Sequence, residues 1–357
     1  MIKLATVFSG IGAIEQAFLK LGIDHEIVFA CDNGERNINL DVDAIKKEIA
    51  GLSYKKQKEY IDEIYESRCK KENKMECSYL ANYNLSKDHF YQDVRFLNAK
   101  QYLGKVDLIV GGSPCQSFSI IGKRAGLKDI RGTLFYDYAR IIDECKPKAF
   151  IYENVKGLLS HDKGNTWKVV NDVFLSLGYN VKFYELNSKD FNIPQDRRRI
   201  FLVGTLKENT LPDKIEKQKL KTTLFDFLES NVAAKYYLKE RGFAFVTTNK
   251  RARVNSKIIS TQKANQQFNW NGDFVFESVE SLKNRPDVLT TAYIGEYNGE
   301  RGVVRKLTPR ECLRLMGFSD SFKIVVDDVE LYRQAGNSIV VNVLEKILIL
   351  LIQNKLI

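Results

Sequence analysis

Histidine and tryptophan are scarce in this chain, with three and two among 357 residues. Six cysteines are present but none forms a C-x-x-C pair. With so few histidines, that spacing argues against a structural zinc site, and a chain of this size and class does not need a disulfide framework. No apolar run approaches the roughly 18 residues of a membrane span; the longest, near Ile347–Ile352, is short. The first residues, MIKLATVFSG, lack a signal-peptide layout and read directly as a strand. Internal repeats and low-complexity linkers are also missing. These features predict a soluble intracellular protein without metal.

What is present is an excess of positive charge and an alternation of strand and helix. The net charge is +10, from 55 basic and 45 acidic residues, which suits a polyanionic partner. Strand patterns at Leu4–Phe8, Glu26–Ala30, Asp107–Val110, Ala149–Tyr152, Val181–Leu186 and Ile200–Val203 alternate with helical ones at Ile14–Leu21, Thr133–Cys145 and Thr166–Leu177. This rhythm predicts an α/β fold with a mostly parallel sheet. Residues 41–80, rich in Lys and Glu with apolar spacing, read as a helical insertion. From about residue 206 the texture becomes irregular. Lys235–Lys263 holds eight basic residues and one acid, with Tyr236, Tyr237, Phe243 and Phe245 among them, as on a nucleic-acid-facing surface. The α/β texture returns at Arg305, and a helix over Val340–Ile352 follows.

The stretch TVFSGIGAIEQAFLKLG places Gly10-x-Gly12 between a strand and a helix, where backbone amides approach a ligand. The third glycine of a dinucleotide fingerprint is missing, which disfavours a nicotinamide enzyme. Asp32, some 20 residues on at the end of the second strand, is placed to accept from ribose hydroxyls. Asp93-Val94 offers a carboxylate and an apolar face suited to adenine. The set predicts an adenosine-containing ligand. The strand KVDLIV then leads into Gly111-Gly112-Ser113-Pro114-Cys115-Gln116. Ligands of open α/β sheets sit beyond the carboxyl ends of strands, so Cys115 is delivered toward that crevice. Pro114 stiffens the loop, and a thiol in a basic site has a stabilised thiolate. Glu153-Asn154 ends the strand AFIYENV, Arg197-x-Arg199 opens another, and Gly336-Asn337-Ser338 precedes the last helix. A thiolate, a proton-holding carboxyl and paired guanidiniums suit a heterocycle bearing a ring nitrogen and a carbonyl.

These blocks resemble, in order, those of the bacterial-type cytosine-5 DNA methyltransferases: FSGIGAIEQAF, SPCQSFS, ENVKGLL, QDRRR, RKLTPRECLRLMGF and GNSIVVNVLEKI. The resemblance covers about residues 3–35, 81–205 and 303–357. It implies a Rossmann-like S-adenosyl-L-methionine-dependent domain with a mixed, mostly parallel sheet over 1–205 and 305–357. A smaller, irregular target-recognition domain would span 206–304. It implies Cys115 as nucleophile, Glu153 at N3 of the base, Arg199 on the O2 side and Arg197 orienting the site. Cofactor contacts carried over by the resemblance are Phe8, Ser9, Gly10, Gly12, Asp32 and Asn33. Asp93, Val94, Pro114, Leu134, Asn337 and Ile339 complete them. DNA contacts are expected from Gln116, from Lys123 and Arg124 in a basic loop, from Arg251 and Arg253, and from Thr290 or Thr291. Arg305 is expected to tie the two domains together. The implied setting is a monomer, bacterial or phage-encoded, acting on double-stranded DNA in the cytoplasm, away from membranes. A cognate restriction endonuclease would share its site, and the product would be S-adenosyl-L-homocysteine. A tRNA cytosine-5 methyltransferase and a non-catalytic DNA-binding paralogue are the alternatives.

Overall fold

The computed structural model describes residues 1–114, 134–208 and 210–357, so Cys115, Gln116, Lys123 and Arg124 lie outside the described residues. The chain forms two compact units. The first comprises Met1–Leu186, Arg198–Glu216 and Val343–Ile357, and the second Asn187–Arg197 and Lys217–Asn342.

The first unit is built on a seven-stranded sheet of order β3-β2-β1-β4-β5-β8-β6. Its strands are β1 (Ile2–Val7), β2 (His25–Cys31), β3 (Phe90–Tyr91), β4 (Leu108–Gly111), β5 (Ala149–Val155), β6 (Asn180–Asn187) and β8 (Arg198–Thr205). The pairs β1–β2, β1–β4, β2–β3 and β4–β5 are parallel, and β8 runs antiparallel to β5. In β1, Leu4 to Val7 are all buried, as expected of a central parallel strand covered on both faces. Gly111 ends β4 because a Cβ there would collide with the Val7 carbonyl of β1. The order of strands reverses between β1 and β4. That switch point is where open α/β sheets place their ligands.

Helix α1 (Ala13–Leu21) leaves β1 through Gly12, whose φ of 77° is left-handed, and stops at Gly22, φ 63°. Between β2 and β3 come α2 (Val42–Ile49), α3 (Tyr54–Arg68) and α4 (Lys74–Asn82), capped by Asp41, Ser53 and Asn73. Together with Leu40 and Phe96, α2 and α3 bury their own cluster, including Ile45, Ile49, Ile61, Ile64 and Tyr65. Helices α5 (Leu134–Cys145) and α6 (Asn165–Ser176) supply Phe135, Tyr138 and Phe174 to an aromatic core against Phe150 and Tyr152 of β5.

In the second unit, β9 (Arg253–Val254), β11 (Asp273–Ser278), β12 (Gly295–Tyr297) and β13 (Glu300–Lys306) form a sheet of order β12-β13-β11-β9. A two-stranded parallel sheet joins β7 (Gln195–Asp196) to β10 (Ile259–Ser260). The unit also holds α7 (Glu240–Thr248), α8 (Pro286–Thr291), α9 (Pro309–Arg314) and α10 (Asp328–Asn337). Residues 305–342, expected with the first domain, fall here instead. Arg305 and Lys306 belong to β13, which pairs with β11. Arg305 therefore ties elements within this unit: its guanidinium bonds Glu277 of β11 and Glu311 of α9.

The stretch Asp328–Gln353 is long and apolar enough to cross a membrane by length and composition. It is nevertheless two helices, α10 and α11 (Val341–Gln353), separated at Ser338, whose backbone is extended at φ −70°, ψ 157°. In α11, Val341, Leu344, Ile347, Leu348 and Leu351 are fully buried.

Candidate active site

The carboxyl ends of β1, β2 and β3 lie side by side, since Val7 registers with Cys31 and Cys31 with Tyr91. After β1 the chain turns through Phe8 (φ 56°), Ser9 and Gly10 (φ 54°). Ser9 locks this turn to β2. Its N–H donates to the Cys31 carbonyl at 3.1 Å, and its hydroxyl accepts from the Cys31 N–H at 3.0 Å. The Gly10 N–H donates to Asp32 Oδ2 at 2.9 Å, and the Gly34 N–H to Asp32 Oδ1 at 2.8 Å. Burial raises the Asp32 carboxyl above its ordinary value, while the Gly34 and Gly10 amides pull the other way. Among the described residues nothing lies within 4 Å of a Cβ built at Gly10. Asn33 is partly exposed, and its side chain accepts from the Glu35 N–H at 2.9 Å.

Asp93 follows β3 but is committed inside the protein. Arg95 Nε donates to both its oxygens at 3.0 Å, Arg95 Nη2 to Oδ2 at 2.6 Å, and the Tyr65 hydroxyl to Oδ2 at 2.8 Å. The carboxylate expected to meet an adenine amine is thus spent on a cation and a phenol. Val94, expected as a cofactor contact, packs in the core, and its carbonyl accepts from Arg140 at 2.7 Å.

The ends of β4 and β5 meet at Gly112. A Cβ there would strike the Glu153 carbonyl and come within 3.1 Å of Glu153 Oε2, so only glycine fits beside this carboxylate. Arg199 of β8 places Nε 3.2 Å from Glu153 Oε1. Asn154 Nδ2 donates to the Ser113 carbonyl at 3.1 Å and to the Tyr152 hydroxyl at 3.0 Å. The Ser113 and Tyr152 hydroxyls share a further bond of 2.6 Å. The chain is thereby pinned two residues before Cys115. Pro114, the last described residue before it, is exposed, and Leu134 packs against the core beyond. Ser113 and Tyr152 were missed in the sequence, where nothing signals that two hydroxyls 39 residues apart will meet.

The remaining expected residues belong to the second unit. Arg197 is buried, and its guanidinium donates to the carbonyls of Gln262 (2.9 Å), Gly336 (3.1 Å) and Ser338 (2.9 Å). These bonds make it a tie that fixes the segment carrying Asn337. Gln195 acts alike, donating to the Leu315 carbonyl and accepting from the Gln262 N–H. Asn337 is exposed at the end of α10 and Ile339 is partly exposed. Arg253 is engaged by Ser256, Ser260 and the Ile258 carbonyl, with Asp273 3.7 Å away. Arg251 is exposed. Thr290 and Thr291 are exposed on α8, but their hydroxyls bond back to the carbonyls of Pro286 and Asp287. Among the described residues no group of three or more His, Cys, Asp or Glu side chains is placed to hold a metal ion.

The model of the C-5 cytosine-specific DNA methylase family matches residues 47–353. Type II methyltransferase M.SsoII of Shigella sonnei is 38% identical over 249 residues, covering 68% of this chain and 62% of that protein, so over a third of it lies outside the match. Type II methyltransferase M.HpaII of Haemophilus parainfluenzae is 37% identical over 290 residues, 74% of this chain and 76% of its own. Among solved structures, that of the S. pombe Dnmt2 methyltransferase shares the fold, with a TM-score of 0.67 at 19% identity over 99% of both chains. By the span of the family match, the identity of these relatives and the mixed α/β sheet described above, the chain belongs to the C-5 cytosine-specific DNA methylase family.

Proposed function

We propose that this chain methylates C5 of a cytosine in double-stranded DNA, using S-adenosyl-L-methionine as methyl donor and Cys115 as nucleophile. The observation that carries the reading is the Glu153–Arg199 pair set against Gly112, at the end of the strand that leads into Cys115. The donor fits the turn after β1. Gly10 has its backbone in the left-handed region, with nothing among the described residues within 4 Å of a Cβ built there, and each Asp32 oxygen accepts one backbone N–H and keeps a lone pair for a ligand hydroxyl. Phe8, Ser9, Gly10 and Asp32 would hold it. When bound, it supplies an electrophilic methyl group.

The protein's part is to make C5 nucleophilic. The Cys115 thiolate adds to C6 of cytosine, and the displaced π electrons raise electron density at C5. Glu153 holds a proton at N3 during that addition. Arg199 keeps the Glu153 carboxyl oriented and offers further N–H donors toward O2 of the base. After methylation, loss of the C5 proton expels the thiolate and restores Cys115. A stacked base is out of reach of this chemistry, so the target must leave the duplex. Residues 206–304 would recognise the DNA sequence, with Arg251 on its exposed surface as a contact. The chain would act as a monomer in the cytoplasm and protect the site of a partner endonuclease.

The test uses the purified full chain, labelled S-adenosyl-L-methionine and unmethylated DNA, with bisulfite sequencing and a Cys115→Ser control. Label at C5 within one short motif, lost in the control, supports the reading. Label in tRNA alone would establish an RNA enzyme instead, and DNA binding without label a non-catalytic paralogue.

A further inference from the structure

The helices between β2 and β3 leave one question open: what they do for a site formed by other strands. Their buried polar side chains answer it. The Tyr83 hydroxyl donates to the carbonyls of Ile11 (2.9 Å) and Gly12 (2.7 Å), and the Tyr83 ring fills the space a Cβ at Gly12 would occupy. One turn earlier on α4, Tyr79 bonds the Glu15 carboxylate in the first turn of α1, and the two tyrosine rings meet edge to face at 4.9 Å. Asn73, which caps α4, donates from Nδ2 to the Asp32 carbonyl at 2.8 Å and to Gln92 Oε1 at 2.8 Å. It also presses on Gly34, where any Cβ would collide with its side chain. Tyr65 of α3 donates to Asp93 and carries the Arg36 guanidinium over its ring at 4.7 Å. Each strand-end turn at this edge of the sheet is thus held from behind by a different buried side chain of the same excursion. Tyr65, Tyr79, Tyr83 and Asn73 are all less than 10% exposed.

We infer that residues 54–83 form a backing plate for the cofactor pocket, with Tyr83 and Asn73 as positioning residues that set the Gly10–Gly12 and Asp32–Gly34 turns for S-adenosyl-L-methionine. Neither residue needs to touch the ligand. Tyr83 orients the Ile11 and Gly12 peptides, which fixes where the Gly10 N–H and the start of α1 point. Asn73 holds the main chain of Asp32, which aims its carboxylate. The inference rests on the reading of these turns as the cofactor site.

The experiment measures the dissociation constant of S-adenosyl-L-homocysteine for the full-length protein by calorimetry, alongside melting temperatures with and without ligand. Y83F removes the hydroxyl and keeps the ring. N73S keeps a cap for α4 and removes the donor to Asp32. Y60F serves as control, because Tyr60 bonds Glu48 inside the excursion. Y83F and N73S are expected to weaken ligand binding roughly tenfold each, the worth of about one hydrogen bond to a fixed carbonyl. The ligand-induced rise in melting temperature should shrink, KM for S-adenosyl-L-methionine should rise with kcat nearly unchanged, and DNA affinity should hold. Y60F should bind as wild type does. Unchanged ligand affinity in both variants overturns the inference while leaving the function intact. So does a lowered melting temperature with an undiminished ligand-induced shift, which marks a purely structural role. A wild-type protein that does not bind S-adenosyl-L-homocysteine overturns the cofactor reading and the inference with it.

Discussion

Arg305 and Glu311 face each other through two parallel hydrogen bonds of 2.9 Å, and neither side chain is exposed at all. Glu311 also accepts from the N–H groups of Thr308 and Glu229, so one carboxylate joins β13, the start of α9 and the chain at residue 229. Glu311→Gln removes the charge and leaves Arg305 buried with only Glu277 as an ionic partner. The second unit should lose about 3–5 kcal/mol of stability. Trp270 is the only tryptophan of that unit and Trp167 the only one of the first. Denaturant unfolding of E311Q in a Trp167→Phe background, followed by Trp270 fluorescence, should show the loss as an earlier transition.

Glu153→Gln keeps the shape of the side chain beside Gly112 and removes its acid–base capacity. Methyl transfer should fall by roughly 10²–10⁴-fold, while binding of S-adenosyl-L-homocysteine by calorimetry stays as in the wild type. Equal losses in both would mean that Glu153 holds the fold of the site and not a proton.

Gly112→Ala tests the same corner by sterics alone. The new methyl meets the Glu153 carbonyl, which is β5 backbone and cannot rotate away. Displacing Glu153 by even an ångström should cost roughly 10²-fold in kcat. Melting temperature, measured alongside, should fall far less than activity.

Glu15 sets a pH dependence of stability. It is fully buried in the first turn of α1, and burial pushes its carboxyl from an ordinary 4.5 up to about 7, against the hydrogen bond from Tyr79. The folded state therefore binds this proton more tightly than the unfolded state. Its contribution favours folding below about pH 4.5 and is lost as pH rises through about 7, an amount on the order of 3 kcal/mol. Glu15→Gln should flatten the stability profile over that window and exceed the wild type in stability above pH 7, as read from urea midpoints at several pH values.

The frame of the first unit was legible because its signals are local. The β1 glycine turn, Asp32 and the β4 end each follow an apolar strand, Glu153 lies near the end of another, and a parallel sheet brings such carboxyl ends together. What escaped depends on partners remote in sequence. Asp93 has the look of an open carboxylate until Tyr65, 28 residues earlier, and Arg95 close on it. Arg197 and Arg199 sit two residues apart, yet one is consumed by carbonyls 65 to 141 residues downstream while the other reaches Glu153. Arg253 has the composition of a DNA contact and the surroundings of an internal tie, since Ser260 and Asp273 fold back onto it. Thr290 and Thr291 fall on a short helix that occupies their hydroxyls, a result that Pro286 at its first turn hints at only in retrospect.

The chain passes between the two units at 186/187, 197/198, 216/217 and 342/343, so neither is a continuous stretch of polypeptide. β8 enters the first unit's sheet beside β5 only after residue 198, and the last fifteen residues, Val343–Ile357, join that unit after the whole second unit has been made. During synthesis, then, the sheet of the first unit is complete once β8 is made, yet the unit waits on the ribosome without the helix that carries Leu344, Ile347, Leu348 and Leu351. Its completion is coupled to the arrival of α11, so a stop codon or frameshift just after residue 342 would cost this unit its closure even though the second unit is already complete.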